Sequence, residues 1–138
     1  MTAVPAIRVL VADDHLLFAE LLATALSVDE QIDVVGIAAN GEEAVRLSHL
    51  LHPDVMLMDL NMPRVDGVEA TRRIVDGGPT APRVLVLTGS DDAEALSAAR
   101  AAGAAGFMRK TGTAAELRQA LTSLVSLAAA FAPVAAEA

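Results

Sequence analysis

The sequence contains no cysteine, no tryptophan and no tyrosine, and it has only three phenylalanines and a single lysine, Lys110. Without cysteine there is no disulfide and no thiolate metal site, although compartment is left open. With so few aromatics, any core must be built from aliphatic layers. Material for one is ample, since 54% of the 138 residues are hydrophobic. The mean hydropathy is +0.47. A chain of this length fits one domain. A basic surface is also missing: the net charge of -8 argues against direct nucleic-acid binding by this chain. Charged residues make up 20%, too many for an integral membrane protein and too well mixed for disorder. No secretory leader is expected from these residues, because the short apolar run near the start meets two acids at once. Residues 121–136 fall short of the roughly 20 apolar residues a spanning helix needs, and they include Pro133. These absences point to a cytoplasmic protein without a membrane partner.

What is present alternates between two periods. Apolar, β-branched runs predict strands over residues 7–12, 32–38, 55–58, 83–88 and 105–109. Apolar residues at helical spacing predict helices over residues 15–28, 41–51, 65–75, 91–102 and 113 to about 130. Asn40-Gly41 and Gly77-Gly78-Pro79 punctuate the pattern. The last residues, 131–138, form an alanine-rich tail expected to fray, which leaves 1–130 as the domain. Strict strand–helix alternation implies a parallel sheet covered on both faces. The expected fold is α/β: a doubly wound, flavodoxin-like sheet of five strands in order 2-1-3-4-5. Its crevice would lie at the carboxyl ends of strands 1 and 3.

The polar residues fall where that fold would gather them. Asp13 and Asp14 follow strand 1, Asp59 ends strand 3, Thr88 and Ser90 end strand 4, and Lys110 follows strand 5. Asp59 stands at the end of the apolar run VMLM, where a bare charge is costly. Three carboxylates at one sheet edge repel one another and call for a counter-charge. Mg2+, a hard cation that takes one or two carboxylates and keeps several waters, would supply it. The ammonium of Lys110 beside a threonine hydroxyl suits a phosphoryl group.

Four stretches, VADDH, VMLMDLNMPRVDG, VLVLTGS and GAAGFMRK, stand in this order on successive strand ends. Through them residues 7–127 resemble the receiver domain of two-component response regulators, most closely the NarL/FixJ subfamily. The resemblance implies that Asp59 accepts a phosphoryl group from a sensor histidine kinase, aided by Thr88 and Lys110. It implies Mg2+ held by Asp14, Asp59 and the backbone carbonyl of Asn61, with Asp13 assisting directly or through water. It also implies a switch in which Thr88 and Phe107 move together and remodel the surface of helix 4, strand 5 and helix 5. The domain would be the N-terminal part of a transcription regulator or, alternatively, a stand-alone regulator acting by protein contact. It would catalyse only its own phosphorylation and dephosphorylation.

The chain departs from that pattern in three places. Thr111 follows Lys110 where proline in a cis peptide is common, the switch aromatic is Phe107 rather than tyrosine, and only a short alanine-rich stretch stands after helix 5 in this sequence. Each assignment also has a structural rival. Asp13 or Asp14 could cap helix 1, Asp59 could open a turn, and Thr88 could be a plain β-former. Lys110 could shield a sheet end, and Phe107 could be core. Asn61 and Ser90 could place water or simply shape turns. His15 reads as a helix-start residue, and His49 and His52 sit near the end of helix 2, where a cation suits the helix dipole. Asp91, Asp92, Arg72 and Arg73 read as solvated faces. A wide apolar stripe on helix 5, Leu117, Leu121, Leu124, Val125 and Leu127, makes a homodimer through helix 5 and helix 1 or 4 a candidate. Two other classes fit less well. An aspartyl phosphatase would place its nucleophile after strand 1, and a flavin binder would want a Gly/Ser/Thr loop there and aromatics.

Overall fold

The computed structural model describes residues 5–89 and 92–137, with side chains described up to residue 126. Ser90 and Asp91 therefore lie outside the described residues, as do the side chains of Leu127 and the alanine-rich tail. Five strands and five helices alternate: β1 (Ile7–Ala12), α1 (Leu16–Leu26), β2 (Ile32–Ala38), α2 (Gly41–Leu51), β3 (Val55–Met58), α3 (Gly67–Val75), β4 (Arg83–Thr88), α4 (Ala93–Ala101), β5 (Gly106–Arg109) and α5 (Ala114–Glu137). The sheet order is β2-β1-β3-β4-β5. Every pairing is parallel. The predicted doubly wound, flavodoxin-like fold is the observed one.

The period of two along the strands sorts the core into two layers. Leu10, Met56, Met58, Val84 and Val86 point to the side covered by Ala44 of α2, Ala70 and Ile74 of α3 and Ala99 of α4. Val9, Val11, Leu57, Leu85 and Leu87 point to the other, covered by Ala19 and Leu26 of α1 and by Leu117 and Leu121 of α5. All four residues of β3 are buried, so the strand can carry no polar side chain until it ends. Asp59 is the first residue past that end.

Helix starts differ from the sequence expectation where a cap intervenes. Asp66-Gly67 opens α3, as the sequence suggests, but the helix proper begins at Gly67 rather than at Val65: Asp66 is the N-cap, its Oδ1 accepting the Glu69 backbone N–H at 2.9 Å. Thr113 and Glu116 exchange hydrogen bonds in a capping box at the start of α5. Asp92, read from sequence as part of a solvated face, caps α4: its Oδ1 accepts the backbone N–H groups of Glu94 and Ala95 at 3.1 and 3.2 Å. Neither Asp13 nor Asp14 caps α1, whose N-cap position is His15 without a side-chain cap bond. The backbone of α5 runs to Glu137, past the expected end near residue 130, in keeping with alanine's strong helix preference.

Surface expectations are met in part. Arg72 and Arg73 are exposed, and both pair with Glu69 along α3. The α5 stripe is spent largely on the core: Leu117 and Leu121 are buried, and Leu124 and Val125 pack against the same layer. The large exposed apolar side chains are instead concentrated on α1, at Leu16, Leu17 and Leu21. Among the described residues no peptide bond is cis, Lys110–Thr111 included. No helix of the described residues is long and apolar enough to cross a membrane.

Candidate functional site

The rim at the carboxyl end of the sheet is assembled by backbone hydrogen bonds that continue the strand ladders by one residue. The Asp13 N–H donates to the Ala38 carbonyl at 3.0 Å, the Asp59 N–H to the Ala12 carbonyl at 2.9 Å, and the Lys110 N–H to the Thr88 carbonyl at 2.9 Å. The ends of all five strands are thus tied to a neighbour before any side chain is considered. The loop after Asp59 is held equally tightly. Gly67, at the first position of α3, lies so close to the Asp59 backbone that a β-carbon there would stand 2.1 Å from the Asp59 carbonyl oxygen. Its N–H donates to the Leu60 carbonyl at 3.0 Å.

The side chains then partition the charge. Lys110 Nζ is 2.7 Å from Asp13 Oδ2 and 3.6 Å from Asp59 Oδ1. Its ammonium also lies 4.8 Å from the centre of the Phe18 ring, on the first turn of α1. Asp13 is buried, and both of its oxygens are occupied: Oδ2 by Lys110, and Oδ1 by the His15 backbone N–H at 2.9 Å. Asp59 is only 4% exposed, and its Oδ2 has no hydrogen-bond partner. Burial raises the Asp59 carboxyl above the usual carboxylate range. The charge of Asp13 raises it further and that of Asp14 adds to this, while Lys110 and a hydrogen bond from the Asn61 backbone pull it down. A buried carboxylate oxygen without a partner is costly. Its ligand-capable atom lies with those of Asp13, Asp14 and His15 in a group spanning no more than 4.8 Å. Hard oxygen donors so placed fit a small divalent cation.

Of the residues singled out from sequence, Asp13, Asp14, Asp59 and Lys110 come together at the rim. Thr88 is buried beside them, joined through its carbonyl to Lys110. Asn61 is exposed in the loop that follows Asp59. Phe107 is not in the cluster; it is half-buried against the layer beneath α4, with the Arg100 guanidinium 5.5 Å from its ring centre. Two contributors were missed. His15 sits over the acids, with Nδ1 3.2 Å from Asp13 Oδ1 and 3.4 Å from Asp14 Oδ1. Phe18 carries the ammonium of Lys110. Both left a signal, since His15 directly follows the acid pair and Phe18 is one of three aromatics.

The response regulator receiver domain family matches residues 9–122. The chain belongs to that family. Among curated relatives, the transcriptional regulatory protein LiaR of Bacillus subtilis (strain 168) is 42% identical over 115 residues, which is 83% of this chain and 54% of LiaR. DegU of Brevibacillus brevis is 40% identical over 104 residues, 75% of this chain and 44% of DegU. The chain thus spans about half the length of these relatives. Among solved structures, the signal receiver domain of the response regulator NarL from Mycobacterium tuberculosis superposes with a TM-score of 0.80 at 34% identity, covering 91% of this chain and 98% of that one. The fold and the family are therefore those of a phosphorylation-based signalling receiver.

Proposed function

We propose that this receiver accepts a phosphoryl group on Asp59 from the phosphohistidine of a sensor histidine kinase in the cytoplasm, as the N-terminal part of a transcriptional response regulator. The observation that carries the reading is the state of Asp59: buried, with one oxygen unpartnered, and 3.6 Å from the single lysine. An Asp59 oxygen attacks phosphorus in line, the P–N bond to the donor imidazole breaks as the P–O bond forms, and Asp59 becomes an acyl phosphate.

Asp14, Asp59 and the Asn61 backbone carbonyl are the groups to hold Mg2+. Asp13 assists directly or through water; its two engaged oxygens favour the second course. When bound, the ion supplies positive charge to the transferring oxygens. Lys110 contributes the same from the protein side, and its contact with Asp13 keeps it in place between donations. Thr88 offers its hydroxyl to a phosphoryl oxygen, and Phe107 turns inward behind it. The surface of α4, β5 and α5 is the bistable element. The exposed leucines of α1 support a homodimer through α1 and α5 in the same scheme, and a monomer mass by light scattering, with and without phosphorylation, would contradict it.

The test is intact-mass spectrometry after treatment with a small phosphodonor and Mg2+. One phosphoryl group is expected on the wild type and none on Asp59→Asn. Undiminished labelling of the variant would move the acceptor elsewhere.

A further inference from the structure

His15 stands at the start of α1, as its place in the sequence leads one to expect. It holds the N-cap position of α1, yet its side chain makes no cap hydrogen bond. The side chain is 71% exposed, so packing does not fix it. Nonetheless Nδ1 faces two carboxylates at once, at 3.2 Å from Asp13 Oδ1 and 3.4 Å from Asp14 Oδ1. A single ring N–H serves one of them well, and that Asp13 oxygen already accepts the His15 backbone N–H. A cation bound at about 2.1 Å sets adjacent ligand atoms about 3 Å apart and opposite ones about 4.2 Å apart. The imidazole nitrogen and carboxylate oxygens of Asp13, Asp14, His15 and Asp59 share that scale, all lying within 4.8 Å of one another. An independent observation points to a ligand at the same place: Asp59, a member of the group, is 4% exposed and has a carboxylate oxygen without any hydrogen-bond partner.

We infer that His15 is a ligand-bearing residue of this rim, its imidazole nitrogen joining Asp14 and Asp59 to hold a late first-row divalent cation such as Co2+, Ni2+ or Zn2+ more tightly than Mg2+. The inference rests on the reading of the rim as a divalent-cation site and adds the identity of the cation. An all-oxygen site suits Mg2+; a nitrogen donor shifts preference toward borderline ions, which gain from imidazole what Mg2+ does not. The exposure of the ring lets it swing over the ion from the solvent side, the side the buried acids leave open. His49 and His52, at the far end of α2, supply no nitrogen here.

The test compares the full chain with His15→Gln and His15→Ala, each checked for folding by circular dichroism. Calorimetric titrations with Mg2+ and Co2+ are run in parallel, with Asp59→Asn as the site control. Removal of the imidazole is expected to weaken Co2+ by about tenfold or more and to change Mg2+ by less than about twofold. Pulsed electron paramagnetic resonance of the Mn2+-loaded wild type should show nitrogen modulation that both His15 variants lose. Equal losses for Co2+ and Mg2+, or no nitrogen modulation in the wild type, would overturn the inference while Mg2+ binding left the rim reading intact. Failure of the wild type to bind either ion would overturn both.

Discussion

The ammonium of Lys110 stands 3.6 Å from Asp59 Oδ1, while its shorter contact, 2.7 Å, is to Asp13 Oδ2. One cation thus serves two buried acids unequally. Asp13 is satisfied, and Asp59 is left with charge to spare. This asymmetry separates a carboxylate that holds the lysine from one that is free to react.

Removing the lysine should expose that arrangement. Lys110→Met leaves two buried carboxylates facing each other without their counter-charge. The expected cost is on the order of 2 kcal/mol at neutral pH without divalent cations, read by urea unfolding. Phosphoryl labelling of Asp59 should slow by about a hundredfold, the scale of losing one preorganised charge at a reacting oxygen.

The raised carboxyl of Asp59 fixes a pH dependence with a definite sign. The folded chain holds this proton more tightly than the unfolded one, because of burial and then Asp13. Its contribution to stability is complete below the unfolded carboxylate value and is lost as pH rises through the folded value. Asp59→Asn carries no such charge. The two proteins should therefore be equally stable in acid, and the variant should pull ahead as pH rises toward neutral. The expected gap is roughly 1–3 kcal/mol, the cost of a buried unsatisfied charged group. Divalent cation should close the gap by stabilising only the wild type. A gap that widens toward acid would contradict the assignment.

Gly67 is expected to tolerate no side chain. A β-carbon would press on the Asp59 carbonyl and on the Leu60 backbone, at 2.1 and 2.6 Å, and neither can yield as a flexible side chain would. Gly67→Ala should destabilise the fold by about 3 kcal/mol, measured by thermal or urea unfolding. It should also reduce Asp59 labelling in the fraction that folds, since the loop carrying the acid must move.

Most of the architecture was legible in the sequence because the strands announce themselves. β3 is apolar at every position and buried on both faces, so its limits coincide with the limits of the run. Helix ends were less legible. Whether Asp66 joins α3 or caps it depends on one side-chain bond that no periodicity records. The convergence of Asp13, Asp14, Asp59 and Lys110 followed from sheet order alone, since strand ends in a parallel sheet share a rim. How those groups divide their contacts did not follow. That Lys110 favours Asp13 and rests on Phe18, and that His15 leans over the acids, are matters of rotamer and helix phase. The apolar stripe of α5 was legible as apolar, but its division between core and surface was not: periodicity shows that a face is apolar, not how much of it neighbours such as Leu26 and Leu87 already cover.

The central claim is that Asp59 is the acceptor, and it is tested most directly by trapping the acyl phosphate. Borohydride reduces an aspartyl phosphate to homoserine, and the change is located by peptide mass spectrometry after reaction with phosphodonor and Mg2+. Homoserine at position 59, and at no other acid of the rim, is the predicted result. Homoserine at position 13 or 14, or none anywhere in a chain that has taken up phosphate, would contradict it.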